Sequence, residues 1–510
     1  MLRNTVLLAT ALAAGGLSSS FAQQAQINSK EAAQASRSES TEDIRLLFTG
    51  DVLLSRQVTI EISQKQQSPW NSLGNLFHSA DWVGGNLEGA VGMDANCRES
   101  IERSPCFAVD PSLIAWARAA GFTALGNENN HAGDLGAFGR DATGQALAAA
   151  ELLSLTFAAS PAFLRFGDVT VALVAVTTVP DHDGHPAELP SVELEQKLRL
   201  AHALANVVVV SIHWGSELMD WPTEQQRRQA GWLVAHGADL IFGSHPHVIQ
   251  TPECIAGKPV FFSLGNHVFD QKYPATKEGL IADCRIGRGS LRCAALRTHT
   301  PSGSSFPAAQ DSAPAATHAL LACPVQLRPT LSVSGYTLRP QSSSPQDRSG
   351  MIWIEGFASP QSNERVWRTR PAPVLSLEAG RMAGPEGPEF LLSLEKRLSP
   401  IDSEREPRPY VYEVSPHGFI ARWRGSALAW PLLDARLLPG SNGVLCALHR
   451  RDSFLMLSPE AKGTRVAAYR WNGFGFDGIA NEGIISACRN ILGEEESVIA
   501  QPPPQGFKLN

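Results

Sequence analysis

The sequence predicts an α/β protein with a β-rich appendage, and two observations carry that expectation. Between residue 44 and about residue 280, short apolar runs alternate with longer helix-compatible stretches, the pattern of sheets covered by helices. From about residue 351 the pattern changes to short β-like runs broken by Gly, Pro and Asn, which predicts a smaller β-rich domain. At 510 residues the chain is too long for a single hydrophobic core, so more than one domain is expected.

The apolar runs of the first domain are "IRLLFTG", "DWVGGNLE", "FTALGNENN", "VTVALVAVTTVP", "ANVVVVSIHWG", "ADLIFGSH" and "KPVFFSLGN". Helices are expected between them over 110–120, 136–153 and 223–236. Residues 300–317, "TPSGSSFPAAQDSAPAAT", read as a disordered insertion, and "ACPVQLRPTLSVSGYTLRP" as extended structure closing a domain that ends near 340. A polar linker, 341–350, then leads to the β-rich module, 351–510. Within it "YVYEVSPHGFIARWRG" and "RVAAYRWNGFGFDG" share a Tyr, a turn and Gly-Phe. Two such weak copies suggest a β-meander or a piece of a repeat.

Hydrophobic residues make up 43% of the chain and charged ones 18%, ordinary for a folded protein. A formal net charge of −7 offers no broad basic face for nucleic acid or an anionic membrane. The N-terminus, "MLRNTVLLATALAAGGLSSSFAQQ", has an early Arg3, a short apolar core and Ser-Phe-Ala before a polar tract. That is the layout of a signal peptide over 1–22, followed by a flexible leader over 23–42. No cysteine near Ala22 would anchor a lipid, and no later stretch is apolar enough to span a bilayer. A periplasmic or secreted location is therefore expected.

Export makes disulfides the expected use of the eight cysteines. Cys97 and Cys106 flank a short polar loop, Cys284 and Cys293 bracket a hairpin-like segment, and Cys446 and Cys488 lie in the C-terminal part. These pairings suit the spacing, which does not by itself establish connectivity.

Ligand sites in α/β folds gather at the carboxyl ends of strands. Five apolar runs end there in groups able to bind a cation: Asp51, Glu88, Asn130 with His131, His213, and His245 with His247. Singly, Asp51 reads equally as a helix cap, Glu88 as a solvated loop residue and His213 as a core histidine. Together they would leave several polar groups buried and uncompensated at one sheet end, a cost that a divalent cation offsets. Oxygen and imidazole donors without thiolate suit Zn²⁺, Mn²⁺ or Fe.

"FTGDVLLSR", "NLEGAV", "GNENNHAGDLG", "HWGSE", "GSHPH" and "FFSLGNHVFDQ" occur in an order that resembles the bacterial capsule-synthesis CapA family. That family is associated with poly-γ-glutamate production, and its domain is similar to calcineurin-type metallophosphoesterases. The resemblance spans roughly 43–340 and implies an α/β/β/α sandwich around one or two divalent ions. It implies that Asp51 and His247 hold one ion, that Glu88 bridges, and that Asn130, His213 and His245 hold the other. His131 would act as general acid or transition-state stabiliser, oriented by Asp134. Metallophosphoesterases of this type begin with Asp-x-His, whereas Asp51 is followed by Val52 and Leu53. After "SLGN" the family's usual aromatic is His267 here, read as a surface substitution in preference to an extra ligand or proton shuttle. Arg56 is a candidate anion binder and Glu217 a candidate substrate contact.

The resemblance implies an exported metal-dependent hydrolase of a phosphoester or amide bond in surface-polymer biosynthesis. The alternative is a non-catalytic component that binds or guides an acidic polymer. Expected partners are an acidic polymer or small-molecule substrate and membrane-bound polymer-synthesis proteins, with no role for nucleic acid.

Overall fold

Strand periodicity decides how the first domain is layered. Along β1 (Ile44–Val52), Leu46 and Phe48 enter one buried cluster and Leu47 another, as expected of a strand buried on both faces. In chain order the other main strands are β2 (Trp82–Leu87), β3 (Ala124–Gly126), β4 (Leu153–Leu155), β5 (Ala162–Phe166), β6 (Val169–Thr177), β7 (Val207–His213), β8 (Leu240–Ser244), β9 (Lys258–Phe261), β10 (Glu278–Gly287) and β11 (Ser290–His299). The computed structural model describes residues 43–93, 97, 105–181, 189–309, 319–342, 350–384, 386–399, 402–425, 428–450 and 463–494. The expected signal peptide and leader lie outside them.

Two sheets result. One runs β11-β10-β1-β2-β3-β4, parallel from β1 to β4 and antiparallel from β1 to β11. The other runs β9-β8-β7-β6-β5, parallel except for the β5/β6 hairpin. Leu46, Phe48 and Trp82 of the first sheet meet Val171, Val209 and Phe242 of the second in a common core. On the outer side of the first sheet lie α1 (Arg56–Lys65), α2 (Pro111–Ala120) and α3 (Gly136–Ala149), which contribute Val58, Ile62, Leu113, Ile114 and Leu147 to a second core. The outer side of the second sheet is covered by α4 (Val192–Leu204) and α5 (Glu224–Ala235) through Leu194, Leu198, Ala230 and Leu233. The order of layers is α/β/β/α.

Local signals set the helix ends. Asp110 caps α2 by accepting from the Ser112 N–H at 2.8 Å, and Thr223 with Gln226 forms a capping box on α5. Helix α3 stops at Ala149 instead of continuing to 153, because Leu153 already pairs with Ala124 as the first residue of β4. Helix α4 is absent from the expected set although Ser191 caps it and Glu193 and Glu195 occupy its first turn. Part of the tract read as disordered is ordered. Ser304 Oγ and the Ser305 N–H donate to the buried Glu61 of α1 at 2.6 and 2.7 Å, which fixes that end of the tract. Residues 310–317 lie outside the described residues.

The C-terminal part has antiparallel four-stranded meanders in chain order, over 332–368, 374–424 and 432–479, followed by a helix, Glu482–Leu492, packed on the last of them. The two segments with the shared Tyr and Gly-Phe pattern are hairpins of the second and third meanders. The first meander pairs Tyr336–Ser342 with Ile352–Phe357, strands from either side of the expected linker. A single buried cluster includes Leu198 and Ala201 of α4 together with Val374, Leu377 and Leu391. Beside it Arg199 contacts Asp434 at 2.6 Å, Gln196 donates to the same carboxylate at 3.0 Å, and Arg436 contacts Glu195 at 2.6 Å.

All eight cysteines are paired: Cys97–Cys106, Cys254–Cys323, Cys284–Cys293 and Cys446–Cys488. Among the described residues, no helix is long and apolar enough to cross a membrane.

Candidate metal centre

The parallel strands of both sheets point their carboxyl ends at one place. In register, Asp51 of β1 lies beside Asn86 of β2, and His213 of β7 lies beside Ser244 of β8. The bend that follows Ser244 then delivers His245 and His247 on either side of Pro246. Both histidines have positive φ, 97° and 60°, a conformation that costs energy in a non-glycine residue and needs surrounding structure to hold it. A Cβ at Gly50 would lie 1.8 Å from the Gly265 carbonyl oxygen. Glycine there lets β1 approach the 265–268 segment closely enough for Asp51 to reach the cluster.

Glu88 is fully buried, and neither of its carboxylate oxygens has a hydrogen-bond donor among the described residues. His247 Nε2 lies 3.5 Å and His131 Nε2 3.9 Å from its Oε1, while Asp51 Oδ2 lies 3.4 Å from His247 Nδ1. Burial drives the Glu88 pKa well above the ordinary range, opposed by His247 and reinforced by Asp51 and Glu217. For His247 burial acts downward, but Glu88 and Asp51 outweigh it and raise the pKa to about 9. His245 is pushed down to about 4 by burial and by His247, and His213 well below the usual imidazole range by burial and its histidine neighbours.

The imidazoles are oriented from behind. His247 Nδ1 pairs with Asn266 Oδ1 at 3.0 Å, leaving Nε2 toward Glu88. His213 Nδ1 meets Ser244 Oγ at 2.9 Å, and its Nε2 meets Asn130 Oδ1 at 2.7 Å. His245 Nδ1 is buried with no partner among the described residues, and its ring lies 4.7 Å from that of His213. The Asn86 amide donates to Asp51 Oδ1 at 2.8 Å and accepts from Asn129 at 2.9 Å. Such contacts to a ligand's far side hold its tautomer and direction.

This donor set fits a cation. A carboxyl buried without donors is costly whether it ionises or is held neutral, and the site presents one, a second carboxylate and an imidazole nitrogen without a partner among the described residues. Two groups have ligand atoms within 4.8 Å of one another: Asp51, Glu88 and His247, and Glu217, His245 and His247. Glu217, expected as a substrate contact, is exposed yet lies within ligand distance of the paired histidines.

The remaining expected residues fall around this centre. His131 Nδ1 contacts Asp134 Oδ2 at 2.9 Å. The Arg56 guanidinium forms an ion pair with Asp270 and lies 4.5 Å from the centre of the Phe107 ring. His267 corrects its expectation: it is 1% exposed, packed near Phe77 and Phe122 at 5.8 and 6.3 Å, with no hydrogen-bond partner among the described residues. It fills an aromatic's place in the core, and burial lowers its pKa to about 3. Sequence reading did not single out Asn86, Asn129, Asn266, Ser244 or Phe107. The first four sit inside or beside the quoted motifs and were the accessible signal, whereas Phe107 lies in none of them.

The model of the family described as "Bacterial capsule synthesis protein PGA_cap" matches residues 45–271. This part of the chain is similar to that family. The match contains every expected metal-site residue, from Asp51 to His247, and leaves the C-terminal meanders outside it. Two relatives are similar to the same part of the chain. The "PGA biosynthesis protein CapA" of Bacillus subtilis (strain 168) is 28% identical over 270 residues, 49% of this chain and 71% of the relative. The "Capsule biosynthesis protein CapA" of Bacillus anthracis is 28% identical over 267 residues, 48% of this chain and 64% of the relative.

Proposed function

We propose that the protein is an exported metal-dependent hydrolase of capsule or poly-γ-glutamate biosynthesis, acting on a phosphoester or amide bond. The observation that carries the reading is Glu88, a fully buried carboxylate with no donor among the described residues, facing Asp51 and His247. In this reading Asp51, Glu88 and His247 would hold one ion, and Asn130, His213 and His245, with Glu88 shared, would hold a second. A bound Mn²⁺, Zn²⁺ or Fe would supply Lewis acidity toward a phosphoryl or acyl oxygen and a nucleophile at neutral pH.

The chain's own groups supply binding and proton transfer. His131, with Nδ1 held by Asp134, presents Nε2 on the Glu88 side of the site, placed to give a proton to a leaving oxygen or nitrogen. Arg56, 38% exposed at its side chain, draws an anionic substrate group toward the rim despite its pairing with Asp270. The names of the two relatives support a role in surface-polymer synthesis, with an acidic polymer or small molecule as substrate and membrane-bound synthesis proteins as partners. Four disulfides support a periplasmic or extracellular location.

A second reading, a non-catalytic component that binds or guides polymer, is favoured by one observation. Leu53, where a metallophosphoesterase would place a ligand histidine, is a fully buried apolar residue. Hydrolysis of a generic phosphodiester and of poly-γ-glutamate by the metal-loaded protein separates the two. Metal-dependent turnover that His131→Ala removes supports the hydrolase, and metal binding without turnover supports the second reading.

A further inference from the structure

Phe107 belongs to none of the motifs that mark the site, yet it touches the site's proton-handling pair twice. Its backbone N–H donates to Asp134 Oδ2 at 2.7 Å, the same oxygen that meets His131 Nδ1 at 2.9 Å. Its ring stacks on the His131 imidazole with centroids 3.9 Å apart and planes 26° from parallel. The Arg56 guanidinium lies 4.5 Å from the same ring centre. Arg56 and His131 therefore both pack against this one ring.

The backbone that carries this ring is fixed on each side. The Phe107 carbonyl accepts from the Ala90 N–H at 2.9 Å, and Ala108 continues a short parallel pairing with Ala90. On the other side Cys106 is tied to Cys97. Arg56 is itself held by Asp270. The ring and both of its neighbours are thus held in place, while Phe107 is 4% exposed and faces no bulk solvent.

We infer that Phe107 is a positioning residue for His131: its ring fixes the imidazole plane, and its N–H fixes the carboxylate that sets which nitrogen faces the metal centre. Its effect on turnover rests on the hydrolase reading, but its effect on the His131 ring does not. Phe107→Leu removes the stack and keeps the backbone N–H, whereas Phe107→Tyr keeps both.

The test uses full-length protein with ¹³C-labelled histidine, the His131 resonances being assigned by their loss in His131→Ala. In metal-free protein the ring current of Phe107 shifts the His131 ring protons upfield. Phe107→Leu is expected to abolish that shift and Phe107→Tyr to retain it. With Mn²⁺ and a phosphodiester probe, Phe107→Leu is expected to lower kcat about three- to ten-fold at unchanged KM and metal content, with Phe107→Tyr near wild type. An unchanged resonance in Phe107→Leu overturns the inference, as does a lost shift with unaltered kcat. If wild type shows no turnover, the hydrolase reading fails, and the resonance alone decides whether Phe107 orients His131.

Discussion

Replacing Glu88 with Gln should make the metal-free protein more stable and remove its response to metal. Glu88 is fully buried, accepts no hydrogen bond among the described residues, and has its pKa raised by burial and by Asp51. For a carboxyl whose folded pKa is raised, the stability it contributes is complete below its ordinary value of 4.5 and is lost as pH rises. Holding such a group neutral at pH 7 costs about 3 kcal/mol, at ~1.4 kcal/mol per pH unit, which is the ceiling on the gain. An uncharged amide of the same shape removes that cost. With metal the balance reverses, because a ligand at a thousand times its dissociation constant stabilises the native state by about 4 kcal/mol. Thermal melts at pH 5 and pH 7, with chelator and with Mn²⁺, read all of these terms. Wild type should melt several degrees higher with metal, whereas Glu88→Gln should start higher and shift little. A variant that is less stable without metal, or that gains as much from Mn²⁺ as wild type, would refute the reasoning.

Other consequences follow from particular contacts. His131→Ala should reduce metal-dependent turnover by about 10²- to 10⁴-fold while metal content by elemental analysis stays at the wild-type level. His245→Ala with His247→Ala should abolish metal retention while the melting of the C-terminal meanders, followed by limited proteolysis, is unchanged. His449, buried between the Trp430 carbonyl and the Tyr469 hydroxyl, has its pKa lowered to about 4. Its contribution is therefore complete above about pH 6.5 and lost as pH falls toward 4, by at most about 3 kcal/mol; a His449→Gln melt series should lack that slope. Asp434→Ala leaves Arg199, Arg436 and Gln196 without their shared carboxylate and should cost about 3 kcal/mol or more in urea unfolding, with earlier cleavage between the first domain and the meanders.

Legibility in the sequence followed physical locality. Apolar runs ending in Asp, Glu, Asn and His revealed the strands, their carboxyl ends and the loops of the candidate site, because each is a feature of a few consecutive residues. The layers of the sandwich came from resemblance, since which sheet faces which is a long-range property of the chain. Helix α4 left a readable signal in Ser191, Glu193 and Glu195, but its alternating Leu and charged residues lay next to a longer Val run that dominated the segment. His267 misled because an imidazole suggests exposure or chemistry, and only packing against Phe77 and Phe122 shows it in an aromatic's place. Asn86 and Asn266 act from behind the ligands, so their importance depends on hydrogen bonds between strands distant in sequence. Phe107 was invisible for the same reason: stacking on His131 leaves no pattern in the residues around it.

Metal content tests most directly whether the buried carboxylate and imidazole cluster is a metal centre. Protein produced in the periplasm should carry one or two divalent ions per chain by elemental analysis, or take them up from Mn²⁺ or Zn²⁺ after chelation, with Glu88→Gln markedly depleted. A wild-type protein that holds no metal after reconstitution, or a Glu88→Gln variant that holds as much as wild type, would contradict it.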